Sequence, residues 1–475
     1  MTILKPLWND FKLMPHQETG VNWMLKRESG DAPHGGILCD EMGLGKTIQI
    51  ISLLKNGIKC VGEKSLLIAP VAVLEQWKKA AWKCSITVKI PDDAYGWAVE
   101  GKRGRVAAEL HCIGYEAAAR KQWLVSQHTW NRLIVDEAHR IASGNTGTDL
   151  VLRINAQKRW LLTGTPIVNK IKDLSTLLKI LGVEGIAGSS SMETLEPYIK
   201  TYVMARTMDQ LRASIPDAPK APKHVIKSLD FLTDAEGEFY HNKADIIANR
   251  LSKLAGKGQA LLRLKLIMRL RQVSLHPQIY NEARKKQLKS QWDMPDWKES
   301  STKFETIREL ISTSEISHKW IIFCHFRHEM QMLEEMLKGE SLVEIVQQYH
   351  GGLSSTQKED VLERSHMPLM EGKQEVLLVQ LQSGGTGLNL QHFDHIIFTG
   401  PWWTSALMDQ AVGRAVRIGQ TKQVVVYHLR LKAEGDEDLM NIDHFMMEKA
   451  ELKRELCKKV LQAANTSVLP TDLSI

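Results

Sequence analysis

Asp40-Glu41-Met42-Gly43-Leu44-Gly45-Lys46-Thr47 is the stretch on which the fold turns. It follows a short apolar run, Gly36-Ile37-Leu38-Cys39, and opens an amphipathic stretch from Ile48 to Lys55. A strand, a glycine-rich loop and a helix in that order make a phosphate-binding loop. The glycines let backbone amides approach phosphate oxygens, and the helix N-terminus adds positive potential. In such a loop Lys46 reaches the β- and γ-phosphates of ATP, and the Thr47 hydroxyl ligates Mg²⁺. Asp40 stands where the usual pattern has its first glycine, but the spacing Gly43-x-Gly45-Lys46-Thr47 is intact.

Working outward, the next chemical signal is Leu133-Ile134-Val135-Asp136-Glu137-Ala138-His139, an apolar strand ending in two carboxylates. One carboxylate holds the metal and its neighbour activates water; Asp136 is assigned to Mg²⁺ and Glu137 to the general base. An acidic pair at a strand end could also cap a helix, but a lysine loop in the same chain favours the catalytic reading. Ligands of open α/β sheets gather at the carboxyl ends of the strands, where both motifs fall.

Further apolar runs read as buried parallel strands: Ser65–Ala69, Arg132–Val135, Arg159–Leu162, Trp320–Cys324, Val376–Val379, His395–Phe398 and Val424–Leu429. Their alternation with amphipathic stretches predicts an α/β fold. The runs fall into two groups, which predicts two lobes. Between them lies the proline-rich Ile215-Pro216-Asp217-Ala218-Pro219-Lys220-Ala221-Pro222, stiff and extended, and the expected domain boundary. Thr233–Lys253 is expected to be helical. Leu262, Leu266, Leu270 and Val273 mark one helix face that stops at His276-Pro277. Arg284, Lys285, Lys286 and Lys289 read as a solvated helix end. Leu439, Ile442, Phe445 and Met446, then Leu452, Leu456 and Val460, keep helical spacing near the C-terminus. The expected organisation is therefore 1–215 for the first lobe, 216–300 for linker and helical insertion, 301–432 for the second lobe and 433–475 for a C-terminal helix.

The chain has 475 residues, 43% of them hydrophobic, and a net charge of +7. That is enough material for sizeable cores, and the charge fits a polyanionic partner without requiring one. No apolar run reaches the roughly eighteen residues of a membrane span, and Met1–Asp10 lacks a signal-peptide pattern. The expected location is intracellular: the nucleus in a eukaryote, otherwise the cytoplasm or a viral replication compartment. Cys39, Cys60, Cys84, Cys112, Cys324 and Cys457 form no CxxC pair, so reduced buried thiols are expected rather than a structural zinc module.

These motifs resemble, in order, those of superfamily-two helicase-type proteins, and within them the Snf (Swi/Snf) family. The resemblance spans about residues 11 to 430. Leu13-Met14-Pro15-His16-Gln17 resembles the adenine-reading block, with Gln17 the base contact. Leu67-Ile68-Ala69-Pro70 through Leu74-Glu75-Gln76-Trp77 resembles motif Ia, Asp136-Glu137-Ala138-His139 motif II, and Leu162-Thr163-Gly164-Thr165-Pro166 motif III. In the second lobe Ile321-Ile322-Phe323-Cys324, Tyr349-His350-Gly351-Gly352, Ser383-Gly384-Gly385-Thr386-Gly387 and Gly413-Arg414-Ala415-Val416-Arg417-Ile418-Gly419-Gln420 resemble the later motifs. Pro401-Trp402-Trp403 and the Arg-Ile-Gly-Gln ending are typical of the Snf branch. Details such as Trp23-Met24-Leu25-Lys26-Arg27-Glu28 look nearest the Rad-type and helicase-like transcription-factor subgroup, without its zinc RING insertion.

The resemblance implies two tandem RecA-like lobes and a monomeric DNA-dependent ATPase motor that moves along double-stranded DNA, with other proteins targeting it. Gln410, Arg414 and Arg417 would act on the γ-phosphate, and Gly387 would line the nucleotide. Thr163, Thr165 and His139 would couple hydrolysis to DNA. Ser383, Gly384, Gly385 and Thr386 are the candidate DNA contacts, through hydroxyl and amide donors. Lys102, Arg103 and Arg105 could touch DNA but read better as a solvated loop, and Trp402 and Trp403 read better as packing than as stacking platforms. Gly413 stands where the family usually has aspartate and Val416 where it has histidine; neither replaces an arginine. Two other readings are a strand-separating helicase, which needs a wedge element, and an ATP-binding scaffold, which would have lost Lys46, Glu137 or Arg417.

Overall fold

A computed structural model of the chain describes residues 4–8, 11–58, 62–101, 108–186, 191–215, 217–254, 259–288, 294–314, 316–384, 388–432 and 441–465. The chain divides into two compact units, Met1–Ala218 with Lys453–Ile475, and Pro219–Leu452.

The first unit is built on an eight-stranded sheet. Its strands are β1 (Gly35–Leu38), β2 (Glu63–Ala69), β3 (Thr87–Asp92), β4 (Gly96–Val99), β5 (Ala108–Gly114), β6 (Trp130–Asp136), β7 (Ala156–Leu162) and β8 (Val203–Met204). They lie in the order β4-β3-β5-β2-β6-β7-β1-β8, parallel except for the β3–β4 pair. Alternate residues of each strand face opposite layers of helices. Leu133, Val135 and Leu161 join one apolar cluster, while Ile134, Trp160 and Leu162 join the other. Each side chain buried this way contributes about 1.5–3 kcal/mol, which is why these strands read as unbroken apolar runs.

The second unit holds a six-stranded, all-parallel sheet. Its strands are β9 (Lys223–Leu229), β10 (Lys319–Cys324), β11 (Val343–Tyr349), β12 (Gln374–Gln380), β13 (His395–Phe398) and β14 (Val425–Leu431), in the order β11-β12-β10-β13-β14-β9. Ile321, Phe323, Leu377 and Ile396 face one helical layer, and Ile322, Leu378 and Ile397 the other. Both sheets are those of tandem RecA-like lobes.

The region after the proline-rich stretch differs from its expected form. Lys223–Leu229, expected within a linker and helical insertion, instead pairs along its length with β14 as an edge strand. Most of its side chains are exposed, so it lacks the apolar run by which buried strands are recognised. The helices Asp234–Ser252, Ala260–Leu275 and Pro277–Leu288 follow. Tyr240, Ile247, Leu270 and Val273 are buried among them. Lys285 and Lys286 are exposed on the last of these helices, and Lys289 lies outside the described residues. The C-terminal helix runs from Ile442 to Asn465. Ile442 and Met446 are buried with the second unit's helices, and Val460 and Ala464 within the first unit's core; Leu439 lies outside the described residues. Among the described residues no helix is long and apolar enough to cross a membrane.

Candidate active site

β1, β7 and β6 are neighbours, and each ends in one of the quoted motifs. Their register sets Leu38 opposite Leu162 and Leu162 opposite Asp136. The phosphate loop, the Thr163–Thr165 turn and the acidic pair therefore leave the sheet at one level.

In the loop, Gly43 and Gly45 adopt φ of 90° and 78°, a region costly for residues bearing a Cβ. A Cβ on Gly45 would also lie 2.4 Å from Gln17 Nε2. Lys46 is the first residue of the helix Lys46–Asn56, and Thr47 the second. The Lys46 ammonium donates to Asp40 O at 2.6 Å and Glu41 O at 3.4 Å. Gln17 is buried, accepting from Met14 N at 3.1 Å and donating to Leu44 O at 3.4 Å. It ties the helix Pro15–Ser29 to the loop.

Asp136 is the last residue of β6. Its Oδ2 accepts from Trp77 Nε1 at 2.8 Å and its Oδ1 from Glu137 N at 2.9 Å. Burial, then the neighbouring Glu137 charge, pushes its carboxyl above the usual range; Trp77 and the Lys46 charge oppose that. Lys46 and Asp136 are thus within electrostatic reach of each other. Glu137 is held at φ 51°, a left-handed conformation that costs a non-glycine residue about 1–3 kcal/mol. The Tyr115 hydroxyl donates to the carbonyls of Asp136 at 2.6 Å and Glu137 at 3.4 Å, pinning the turn. Burial holds the Tyr115 hydroxyl well above its ordinary pKa, so it remains a donor.

The expected coupling residues come together here. His139 Nδ1 lies 3.3 Å from Glu137 Oε2 and 3.3 Å from Thr163 Oγ1. Thr163 Oγ1 donates to Thr165 O at 3.0 Å and accepts from Thr165 N at 3.1 Å. A chain of contacts therefore joins Glu137 to the turn after β7.

In the second unit, Gln410 ends up on the helix Ser405–Val412, half-buried. Arg414 is 5% exposed, and Leu390 N donates to its carbonyl at 3.0 Å. Arg417 is half-buried with Nε donating to Gly413 O at 2.8 Å, and burial lowers its pKa. Gln420 clamps the same loop by donating to Gln391 O at 2.6 Å and Phe393 O at 2.9 Å. Gly413 is right-handed, φ −62°, so its conformation does not demand glycine. Val416 packs against the apolar core of this unit. Trp402 stacks on His325 at 5.3 Å, with Arg271 Cζ 4.7 Å from its ring centre, and Trp403 packs against the helical cluster. Of the later motif residues, Ser383 and Gly384 lie on the short helix Leu381–Gly384. Gly385, Thr386 and Gly387 lie outside the described residues, as do Lys102, Arg103 and Arg105.

Residues 16–279 match the SNF2-related domain, and residues 302–419 match the helicase conserved C-terminal domain. The first match alone covers more than half of the chain.

The chain belongs to the SNF2 family.

It is a helicase-like ATPase of that family. Among its relatives is a probable global transactivator of Orgyia pseudotsugata multicapsid polyhedrosis virus. That protein is 27% identical over 94% of this chain and 91% of its own length. The probable ATP-dependent DNA helicase CHR23 of Arabidopsis thaliana is 27% identical over 95% of this chain and 43% of its own length. The ISWI chromatin-remodeling complex ATPase ISW2 of Saccharomyces cerevisiae is 25% identical over 95% of this chain and 41% of its own length. The chain thus spans most of the viral relative and less than half of the other two.

Three residues that shape this SNF2-family site were not singled out as site residues in the sequence. Trp77 sits inside the quoted motif Ia block, and its indole could have been suspected because a buried indole needs an acceptor. Tyr115 follows β5 with no motif to mark it. Arg206 explains Asp40. Asp40 is fully buried, and Arg206 grips it through Nε–Oδ1 at 2.9 Å and Nη2–Oδ2 at 2.5 Å. Gln49 Nε2 adds a bond at 2.9 Å, and Arg206 also reaches His16 O. The aspartate in the usual glycine position is therefore a buried clamp between the loop, β8 and the N-terminal helix. Removing one partner of a buried pair costs about 3–5 kcal/mol. Asp40→Ala is expected to lower unfolding free energy by about that amount, read from the urea midpoint. A loss under about 1 kcal/mol would mean that Arg206 finds other partners.

Proposed function

We propose that this chain is an ATP-driven translocase on double-stranded DNA that remodels protein–DNA complexes. The observation that carries the reading is the convergence of Lys46, Asp136 and the Glu137–His139–Thr163 chain at the carboxyl ends of adjacent strands. In this reading Lys46 and the Gly43–Gly45 amides bind the ATP phosphates. Thr47 and Asp136 would hold Mg²⁺, which would supply charge to offset that developing on the γ-phosphate. Trp77 and Tyr115 fix Asp136 from the side-chain and backbone sides. Glu137 orients and deprotonates the attacking water, and His139, touching both Glu137 and Thr163, passes the state of the site to the turn after β7. Arg414 and Arg417 neutralise charge on the transferred phosphoryl group, with Gln410 nearby in sequence. Gln17 contacts the adenine and Gly387 the nucleotide.

DNA is proposed as the polymer because two relatives are a probable ATP-dependent DNA helicase and the ATPase of a chromatin-remodeling complex. The net charge of +7 agrees with a phosphate-tracking grip. Contacts from Ser383, Gly384, Gly385 and Thr386 would be to backbone phosphates, hence weakly sequence-selective and salt-sensitive.

The test is phosphate release with linear duplex DNA, single-stranded DNA and RNA in parallel. Duplex DNA is expected to stimulate best, with stimulation falling as salt rises, and a translocating enzyme should displace a third strand from a triplex. Strongest stimulation by RNA, with duplex unwinding, would instead select the strand-separating helicase.

A further inference from the structure

The second sheet carries a cluster of metal-ligand type at the end opposite its motif-bearing strand termini. β10 begins at Lys319 and β13 at His395, and the two strands are paired in parallel. Their first turns bring His318, Asp394 and His395 together, with one ligand atom from each within 4.8 Å of the others. Asp394 is 3% exposed. Its Oδ2 lies 3.2 Å from His318 Nδ1 and its Oδ1 lies 3.1 Å from His395 Nδ1. The imidazole rings are tilted 55° to one another with centres 4.1 Å apart. Backbone bonds fix the carboxylate: Asp394 N donates to Lys319 O at 3.2 Å, and Lys319 N donates to Asp394 Oδ1 at 3.2 Å.

With one ligand atom from each residue within 4.8 Å of the others, small side-chain rotations close the three on one central ion. Zinc bonds to nitrogen and oxygen are about 2.0–2.2 Å long, which places neighbouring ligands of a tetrahedral ion about 3.4 Å apart. Two imidazoles and one carboxylate favour zinc-like ions over Mg²⁺ or Ca²⁺, which take all-oxygen shells. The histidine side chains are 20% and 13% exposed, so the site has an entry path. Lys422 Nζ lies 2.7 Å from Asp394 Oδ2 on a side chain that is 62% exposed, free to swing into water. The lysine then competes with the ion for the carboxylate.

We propose that His318, Asp394 and His395 form a binding site for a divalent transition-metal ion, with Zn²⁺ the best fit, which clips the starts of β10 and β13 together. Water or a solvent anion completes the shell. The absence of paired cysteines does not bear on this site, whose donors are nitrogen and oxygen.

The test is calorimetric titration of Zn²⁺ into the EDTA-treated full chain, with Mg²⁺ in excess throughout. The tightest event is expected to have one ion per chain. His318→Gln and His395→Gln should each weaken it at least about 10-fold, the lower range for lesser perturbations of metal sites. Lys422→Met, which removes the competing cation, should bind more tightly. Far-UV circular dichroism and a cooperative melt establish that each variant is folded. A Zn²⁺-induced rise in Tm should occur in the parent and vanish in the double histidine variant. Isotherms of the two single variants that overlay the parent's would overturn the site, as would Lys422→Met binding no tighter. The readout is metal binding rather than ATP turnover, so its outcome is separate from that of the proposed motor activity.

Discussion

Glu137→Gln is expected to keep nucleotide affinity and lose about 10²–10⁴-fold in ATP turnover, the usual contribution of a positioned general base. The amide keeps the volume and one hydrogen-bond acceptor of the carboxylate, so the His139 Nδ1–H can still donate to it and the contact survives with the same tautomer. The turn itself is held by Tyr115 and the Glu137 backbone, neither of which changes. What goes is the capacity to take a proton from water. Titration with a fluorescent ATP analogue and duplex-stimulated phosphate release measure the two properties separately. Turnover within about threefold of the parent would show that some other group serves as the base.

Arg417→Ala should produce a loss of similar or greater size, about 10³–10⁵-fold, by analogy with arginines that stabilise phosphoryl transfer in related NTPases. The parent side chain is oriented before any nucleotide arrives: Nε is bonded to Gly413 O, and Gln420 locks the loop to Gln391 and Phe393. Little ordering entropy is left to lose when its guanidinium meets a phosphate. ATP binding is expected to persist, since Lys46 and the loop amides belong to the other unit. Arg417→Lys should recover only part of the loss, because an ammonium keeps the charge without the planar fork. If Arg417→Ala hydrolyses ATP at the parent rate, the arginine has no catalytic role.

Legibility in the sequence followed burial. β6, β7, β10, β12 and β13 are buried on both faces and were visible as apolar runs. β5 is buried too, but Glu109 and His111 pair with each other inside it and interrupt the pattern. β9 and β11 are edge strands, and polar residues such as Lys223, Glu344 and Gln347 hide them. The motif residues were legible because their chemistry constrains residue type at fixed spacing. The supporting residues were not, since a buried indole, phenol or guanidinium can be satisfied by many partners.

The sequence by itself determined the two α/β lobes, the phosphate loop, the acidic pair and the family. Those depend on neighbouring residues: glycines that permit a turn, apolar runs that must be buried, a lysine at the start of a helix. Only the tertiary structure decided that Asp40 is clamped by Arg206, 166 residues away, and that Asp136 is held by Trp77, 59 residues away. It alone also drew His318 toward Asp394 and His395. The partner of a buried polar group is chosen by strand order and register, and those arise from long-range pairing that leaves no mark on the local sequence.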